Sequence, residues 1–224
     1  MPRKLIHEHR YFLSIFSIYI VAGAFSFLFY VQGKEILYVN EIHTPFSNIV
    51  FARITQLVEV SSLVILGLLL LCWRVKYLIV YLIDLLTVTI VVRTLKLAFF
   101  ADRIRPALFF GPEHKLNFVQ GVDILQYYSF PSGHTTAAFA LCFLLAIYIK
   151  RTWASMVLLV VAMLVGISRI YLMEHFWIDV YFGSLLGILI TLLVYIAVQK
   201  PLMHSERGFL NFSIYERYVK RNVK

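Results

Sequence analysis

Two histidines, one carboxylate and a few cations carry the chemistry to be expected of this 224-residue chain. His175 and Asp179 stand four residues apart, so on a helix they share a face. A carboxylate accepting from one imidazole nitrogen fixes the tautomer, leaves the other nitrogen free to attack, and stabilises the cation that develops. His134 follows Pro131-Ser132-Gly133, residues that suit the opening of a helix. Unpaired amide donors and the helix dipole favour an anion there, and glycine lets the backbone approach it without a Cβ in the way. Lys96, Arg105 and Arg169 supply positive charge for several anionic oxygens at once.

Together these residues suit phosphoryl transfer. His175 is expected to attack phosphorus as a neutral base, with Asp179 orienting it and His134 donating a proton to the leaving oxygen. Water then hydrolyses the phosphohistidine, with His134 now acting as base. Lys96, Arg105, Arg169, Ser132 and the Gly133 amide are the expected phosphate ligands. The carboxylates and histidines are too few, and too heavily flanked by arginine, to favour a metal ion, so neither a metal nor a cofactor is expected. Taken singly, each cluster has a plainer reading. The cations could snorkel at an interface, Pro-Ser-Gly could be only a turn and cap, and His175–Asp179 could be a structural hydrogen bond. Convergence of all three on one face is the argument for a site.

The elements that must position them follow from composition. Hydrophobic residues make up 61% of the chain and charged residues 15%, with a mean hydropathy of +0.81. An ordinary soluble globule, a disordered chain and a collagen-like fibre are thereby excluded. A bilayer core of ~30 Å needs ~20 helical residues. Six stretches of that order occur, at about 11–31, 46–73, 77–101, 132–149, 152–170 and 176–198. They are continuously apolar rather than alternating, which argues for helices over a membrane barrel. The expected fold is all-α, a polytopic membrane protein with six transmembrane helices in one bundle and one domain over 1–224. The first run is longer than the apolar region of a signal peptide, and no clear small-x-small site follows it, so it is read as a retained span. Cys72 and Cys142 fall inside apolar runs and read as packed thiols.

Six spans place both termini on one side, and thirteen of the 21 Lys and Arg residues fall there, among them Arg3, Lys4, Arg10, Arg74, Lys76, Lys150 and Arg151. The tail, 199–224, adds Lys200, Arg207, Arg217, Lys220, Arg221 and Lys224. By the positive-inside bias that side is cytoplasmic, and the tail is expected to touch anionic lipid. The net charge of +9 is then no sign of nucleic acid. Counting spans puts Lys96, Arg103, Arg105, Ser132 to His134, Arg169, His175 and Asp179 together on the opposite face.

At these residues the sequence resembles the type 2 phosphatidic acid phosphatase family, membrane lipid phosphate phosphatases that share a site with the vanadium haloperoxidases. That family's signature is Lys-x6-Arg-Pro, Pro-Ser-Gly-His and Ser-Arg-x5-His-x3-Asp. The second motif is intact at Pro131 to His134, and the third from Ser168-Arg169 through His175 to Asp179. The first departs from the pattern. Lys96 to Arg105-Pro106 has eight intervening residues, whereas Lys96 to Arg103 has six but lacks the proline. Arg105 is preferred because proline locks the backbone beside it, with Arg103 as the alternative. The resemblance covers about 75–198 and implies a metal-independent mechanism through phosphohistidine.

A site at the outer interface suits a lipid phosphate or lipid pyrophosphate. The loop of roughly 102–130, with Phe109-Phe110-Gly111-Pro112 and Tyr127-Tyr128, is long enough to act as a lid or headgroup reader, although such aromatics are also common interface anchors. The compact layout looks bacterial, with the site facing the periplasm from the inner membrane. Undecaprenyl pyrophosphate, lipid A phosphates, phosphatidylglycerophosphate and phosphatidate are all compatible substrates, and the first two are favoured. A phosphotransferase passing the group to a second lipid would use the same residues. A transporter or channel is the rival of a different class, resting on Arg53, Glu59, Asp84 and Arg93 inside the second and third stretches.

Overall fold

Continuous apolar runs leave the backbone no partner but itself in a bilayer, and helices meet that demand segment by segment. A computed structural model describes residues 9–112, 114, 116–199, 202, 210–213 and 217, and among these the regular elements are all helical. In chain order they are α1 (Arg10–Ser26), α2 (Lys34–Glu41), α3 (Pro45–Thr55), α4 (Val60–Trp73), α5 (Val75–Thr94), α6 (Pro106–Phe110), α7 (Gly133–Ile149), α8 (Thr152–Tyr171) and α9 (Trp177–Val194). A wider π turn extends α5 over Leu95–Phe99, and another extends α9 over Tyr195–Gln199. Most of the tail, including Lys200, Arg207, Lys220, Arg221 and Lys224, lies outside the described residues, as do Arg3, Lys4 and Lys115.

Among the described residues three helices are long and apolar enough to cross a membrane: Val75–Phe99, Thr152–Tyr171 and Trp177–Val198. A fourth is added if Pro45–Val58 and Val60–Trp73 count as one span, although the pair is bent by 50°. The six crossing helices expected from hydropathy are therefore not established. Two of the six apolar runs give helices of 17 residues, about 25 Å at 1.5 Å per residue and so short of the hydrocarbon core. The second run breaks at Glu59, whose backbone is extended (φ −81°, ψ 163°) between a 3-10 turn and α4. A hydropathy window averages across such a one-residue break.

The core is built around α7. Thirteen of its 17 residues are buried, from Thr135 to Tyr148, as befits a helix that is apolar all round. It packs on α8, α9 and α5. Phe12 and Phe16 of α1 close one flank against Phe139 and Phe143, and Val80, Tyr81, Val88 and Val92 of α5 close another. The outward faces carry exposed apolar side chains, including Ile18 and Val21 on α1, Leu68 and Leu69 on α4, Leu86 and Ile90 on α5, and Leu189 and Leu193 on α9. An apolar exterior on this scale marks a surface made for lipid.

Lipid tails are as apolar as leucine, so close backbone approach, rather than water exclusion, holds such helices together. Small residues on α9 permit it. A Cβ at Gly187 would come within 2.4 Å of the Thr136 carbonyl oxygen, and one at Gly183 within 2.9 Å of the Ser132 carbonyl oxygen. Gly187→Ala is therefore expected to push α7 and α9 apart and to cost about 1–3 kcal/mol, read as a lower thermal unfolding midpoint in mild detergent. An unchanged midpoint would show that the contact is not limiting. Beside this seam Asp84 is fully buried, with one oxygen accepting from Thr191 Oγ1 at 3.2 Å.

Candidate active site

The motif residues meet at one end of the bundle, drawn together by main-chain bonds. Ser132 N donates to the Asp179 carbonyl at 3.1 Å, tying the start of α7 to the first turn of α9. In the loop after α5, Arg105 N donates to Gln126 O at 2.8 Å and Ser129 N to Arg103 O at 3.0 Å. These bonds close the base of that loop over the helix ends. Glu174 N and His175 N both donate to Arg169 O, at 3.0 and 3.1 Å, which sets the turn between α8 and α9.

His175 is 1% exposed, and its Nδ1 lies 3.4 Å from Asp179 Oδ2. That oxygen also accepts from Phe176 N at 3.0 Å and from Ser129 Oγ at 2.5 Å. Asp179 is thus fixed by a first-turn amide, an N-terminal position where a carboxylate is favoured, and can turn the imidazole so that Nε2 is the uncommitted nitrogen. Burial, together with Arg105, Lys96, Arg169 and His134, holds the imidazole well below its ordinary 6.5. His175 is therefore neutral near pH 7, the form that can act as a nucleophile.

Ser132 caps α7, its Oγ accepting from Thr135 Oγ1 at 2.9 Å and from Thr135 N at 3.4 Å. At Gly133 a Cβ would meet only Val92 Cγ1, at 3.6 Å, an ordinary contact. Packing therefore does not demand glycine there, whereas close approach of an anion to the amide would. Lys96 sits on the π turn that ends α5, its Nζ donating to Tyr128 O at 2.7 Å.

The two first-motif arginines differ in burial. Arg105 is 5% exposed, its Nε donating to Tyr127 O at 2.9 Å and its Nη1 to Glu174 O at 3.2 Å. Arg103 is exposed and contributes its carbonyl to the loop base. The structure thus brings Arg105 into the cluster and leaves Arg103 outside it. Arg169 Nη1 donates to Thr55 Oγ1 at 2.6 Å, so the end of α3 reaches the site.

Glu174 was not among the sequence candidates. Its carboxylate pairs with Arg105 Nη1 and lies 3.4 Å from Arg169 Nη2. Burial pushes this acid up, against the pull of Arg169, Arg105 and Lys96. Its position just before His175 was the available signal, but in the sequence it is one more charge in a loop.

His134 lines three cavities, two of which reach other motif residues. The larger of these two, about 930 Å³, is a cleft of mixed lining, with Arg53, Glu59, Asp123, His134, Arg169 and Glu174 beside Ile49, Phe118, Val119 and Leu125. The second, about 470 Å³, is an apolar groove between α4 and α5, lined by Leu63, Leu85, Val88, Val92, Lys96 and His134 among others. Of the ionisable residues that suggested a transporter, Arg53 and Glu59 line the cleft at the break before α4, and Arg93 lines the groove. Asp84 lies apart from both, within the helix packing. Among the described residues no group of three His, Cys, Asp or Glu side chains is placed to hold a metal ion.

Comparison with known proteins places this arrangement in context. A sequence profile described as the PAP2 superfamily matches residues 73–202. The chain is 39% identical over 97 residues to the bacitracin transport permease protein BcrC of Bacillus licheniformis, a stretch covering 42% of this chain. It spans 44% of the length of that relative. The crystal structure of LpxE from Aquifex aeolicus superposes with a TM-score of 0.64 at 25% identity, covering 74% of this chain and 94% of that one. A PAP2-type phosphatidylglycerolphosphate phosphatase from Bacillus subtilis gives 0.54 at 26% identity, covering 84% and 96%.

Proposed function

Because the chain belongs to the PAP2 superfamily, we propose that it is a membrane lipid phosphate phosphatase working through a phosphohistidine on His175. The observation that carries this reading is the position of His134, which lines both the wide cleft with its charged side chains and the apolar groove. A lipid could then lay a chain in the groove while its headgroup enters the cleft and its phosphate comes to rest between them.

Lys96, Arg105, Arg169, Ser132 and the Gly133 amide bind the phosphate oxygens. His175 Nε2 forms a bond to phosphorus as the bond to the lipid oxygen breaks, and His134 gives that oxygen its proton. In the second half, His134 takes a proton from water, whose oxygen attacks phosphorus. The phosphorus–nitrogen bond breaks and neutral His175 returns. Asp179 holds Nδ1–H throughout and stabilises the imidazole while phosphorus is attached. The charge that develops is met by fixed cations and helix-end donors, so the mechanism needs no metal.

The cleft has room for a headgroup larger than a phosphate, and its lining sets polar side chains such as Asn48, Gln56 and Gln120 beside apolar ones. That supports an envelope lipid, a lipid A phosphate or undecaprenyl pyrophosphate, over phosphatidate. The likeness to a PAP2-type phosphatidylglycerolphosphate phosphatase supports a lipid phosphate as the substrate class. The proposed setting is a bacterial inner membrane with the site on the periplasmic side, the basic termini facing the cytoplasm. Transfer to a second lipid instead of water is the alternative outcome at the same residues.

The test is phosphate release by purified protein in detergent, with EDTA present, from lipid A, undecaprenyl pyrophosphate, phosphatidylglycerophosphate and phosphatidate. Release is expected to be undiminished by the chelator and fastest with one of the first two. Loss of activity on chelation would contradict the metal-free mechanism, and no release from any of the four would remove the phosphatase reading.

A further inference from the structure

Glu174 is the last of the five unspecified residues in the third motif, yet its carboxylate is 3% exposed and meets both Arg105 and Arg169. We infer that this carboxylate is a built-in anion occupying the place between Arg105 and Arg169 that a substrate phosphate would take, and that phosphate binding displaces it. The inference rests on the proposed phosphatase site.

Three observations support it. The first is the contact itself: one carboxylate oxygen, Oε2, reaches both guanidinium groups, as an oxygen of a bound phosphate does. The second is position. Glu174, Arg169 and His134 line the larger cleft, whereas Arg105 and His175 are not part of that lining. A phosphate arriving from the cleft meets Glu174 before it meets the nucleophile. Two anions sharing one arginine pair repel, so the carboxylate and a phosphate dianion exclude each other there.

The third observation separates competition from simple positioning. Each arginine also has a hydrogen bond that does not involve the carboxylate. Arg105 is held by the carbonyls of Tyr127 and Glu174, and Arg169 by Thr55 Oγ1. The backbone under Glu174 is fixed as well, its N–H bonded to Arg169 O and its neighbour Met173 held at φ 60°, an uncommon conformation for a residue with a side chain. Only the Glu174 side chain has to move, by rotation into the cleft that it already lines.

The experiment is Glu174→Gln in purified, detergent-solubilised protein. Glutamine keeps the volume and an amide oxygen for Arg105 but removes the competing charge. Orthophosphate binding is read by thermal shift and by inhibition of lipid phosphate hydrolysis. It is expected to tighten by about tenfold or more, with KM falling and kcat little changed. Unchanged or weaker phosphate binding, with kcat lost at constant KM, would overturn the inference and make Glu174 a positioning residue for the arginines. Should the glutamine variant not fold, Glu174→Asp draws the charge back from both guanidinium groups and is expected to bind phosphate more tightly than wild type; equal or weaker binding overturns the inference. If wild type hydrolyses lipid phosphate and neither variant binds phosphate more tightly, the inference alone fails. If no protein binds phosphate or hydrolyses any lipid phosphate, the phosphatase reading fails and the inference with it.

Discussion

Replacing His175 with alanine is expected to lower phosphate release by about 10⁴-fold or more, the scale seen when a nucleophile that works as part of a unit is removed. No other described side chain stands in the same relation to Asp179, whose Oδ2 lies 3.4 Å from His175 Nδ1. His175→Asn, closer in size to the buried ring, should be equally inactive and controls for a packing defect. His134→Ala should differ in kind. With an ester whose leaving group needs no proton, the first half-reaction should survive and the second should slow. Radiolabelled phosphate should then accumulate on the protein in an acid-labile, alkali-stable form, and it should be absent when His175 is also replaced. Full activity in the His175→Ala protein would dispose of the nucleophile assignment.

The second large effect is expected at Arg105. In the proposed mechanism Arg105 binds the phosphate, so Arg105→Ala, which removes this buried cation, should cost about 10²–10³-fold in kcat/KM, as loss of one transition-state donor does. Arg103→Ala should change it by no more than about twofold, the range of an exposed substitution. The alanine at 105 also leaves Glu174 with one arginine fewer, so unfolding must be followed in parallel. Arg105→Lys serves as the second arm, since it keeps charge but loses the planar fork. Equal losses at 103 and 105, with both proteins folded, would show that the loop adopts another register on binding substrate.

The contrast between Arg103 and Arg105 shows where sequence reasoning stops. Motif spacing favoured position 103 and the following proline favoured 105. Burial separates the two side chains, and it follows from hydrogen bonds between Arg103 or Arg105 and residues more than twenty positions away. Arg53 and Glu59 teach the same lesson from the other side. Inside an apolar run they read as charges crossing a membrane, but the extended backbone at Glu59 breaks the run, and both residues line the cleft. Nothing local in the sequence marks that break, because valine, serine and leucine continue on its far side.

What the sequence by itself determined was the helical class, the apolar exterior and the residue types that can handle a phosphate. Those properties follow from hydropathy and from spacings within one or two helical turns, such as His175 to Asp179. The tertiary structure decided which of the described helices are long enough to cross a membrane, that Arg105 is buried where Arg103 is exposed, and that Glu174 meets both Arg105 and Arg169. Each of these depends on which side chains distant segments bring within hydrogen-bonding reach. Such contacts are made by the closing of the loop after α5 and the docking of α9 on α7, and they leave no period or motif in the chain.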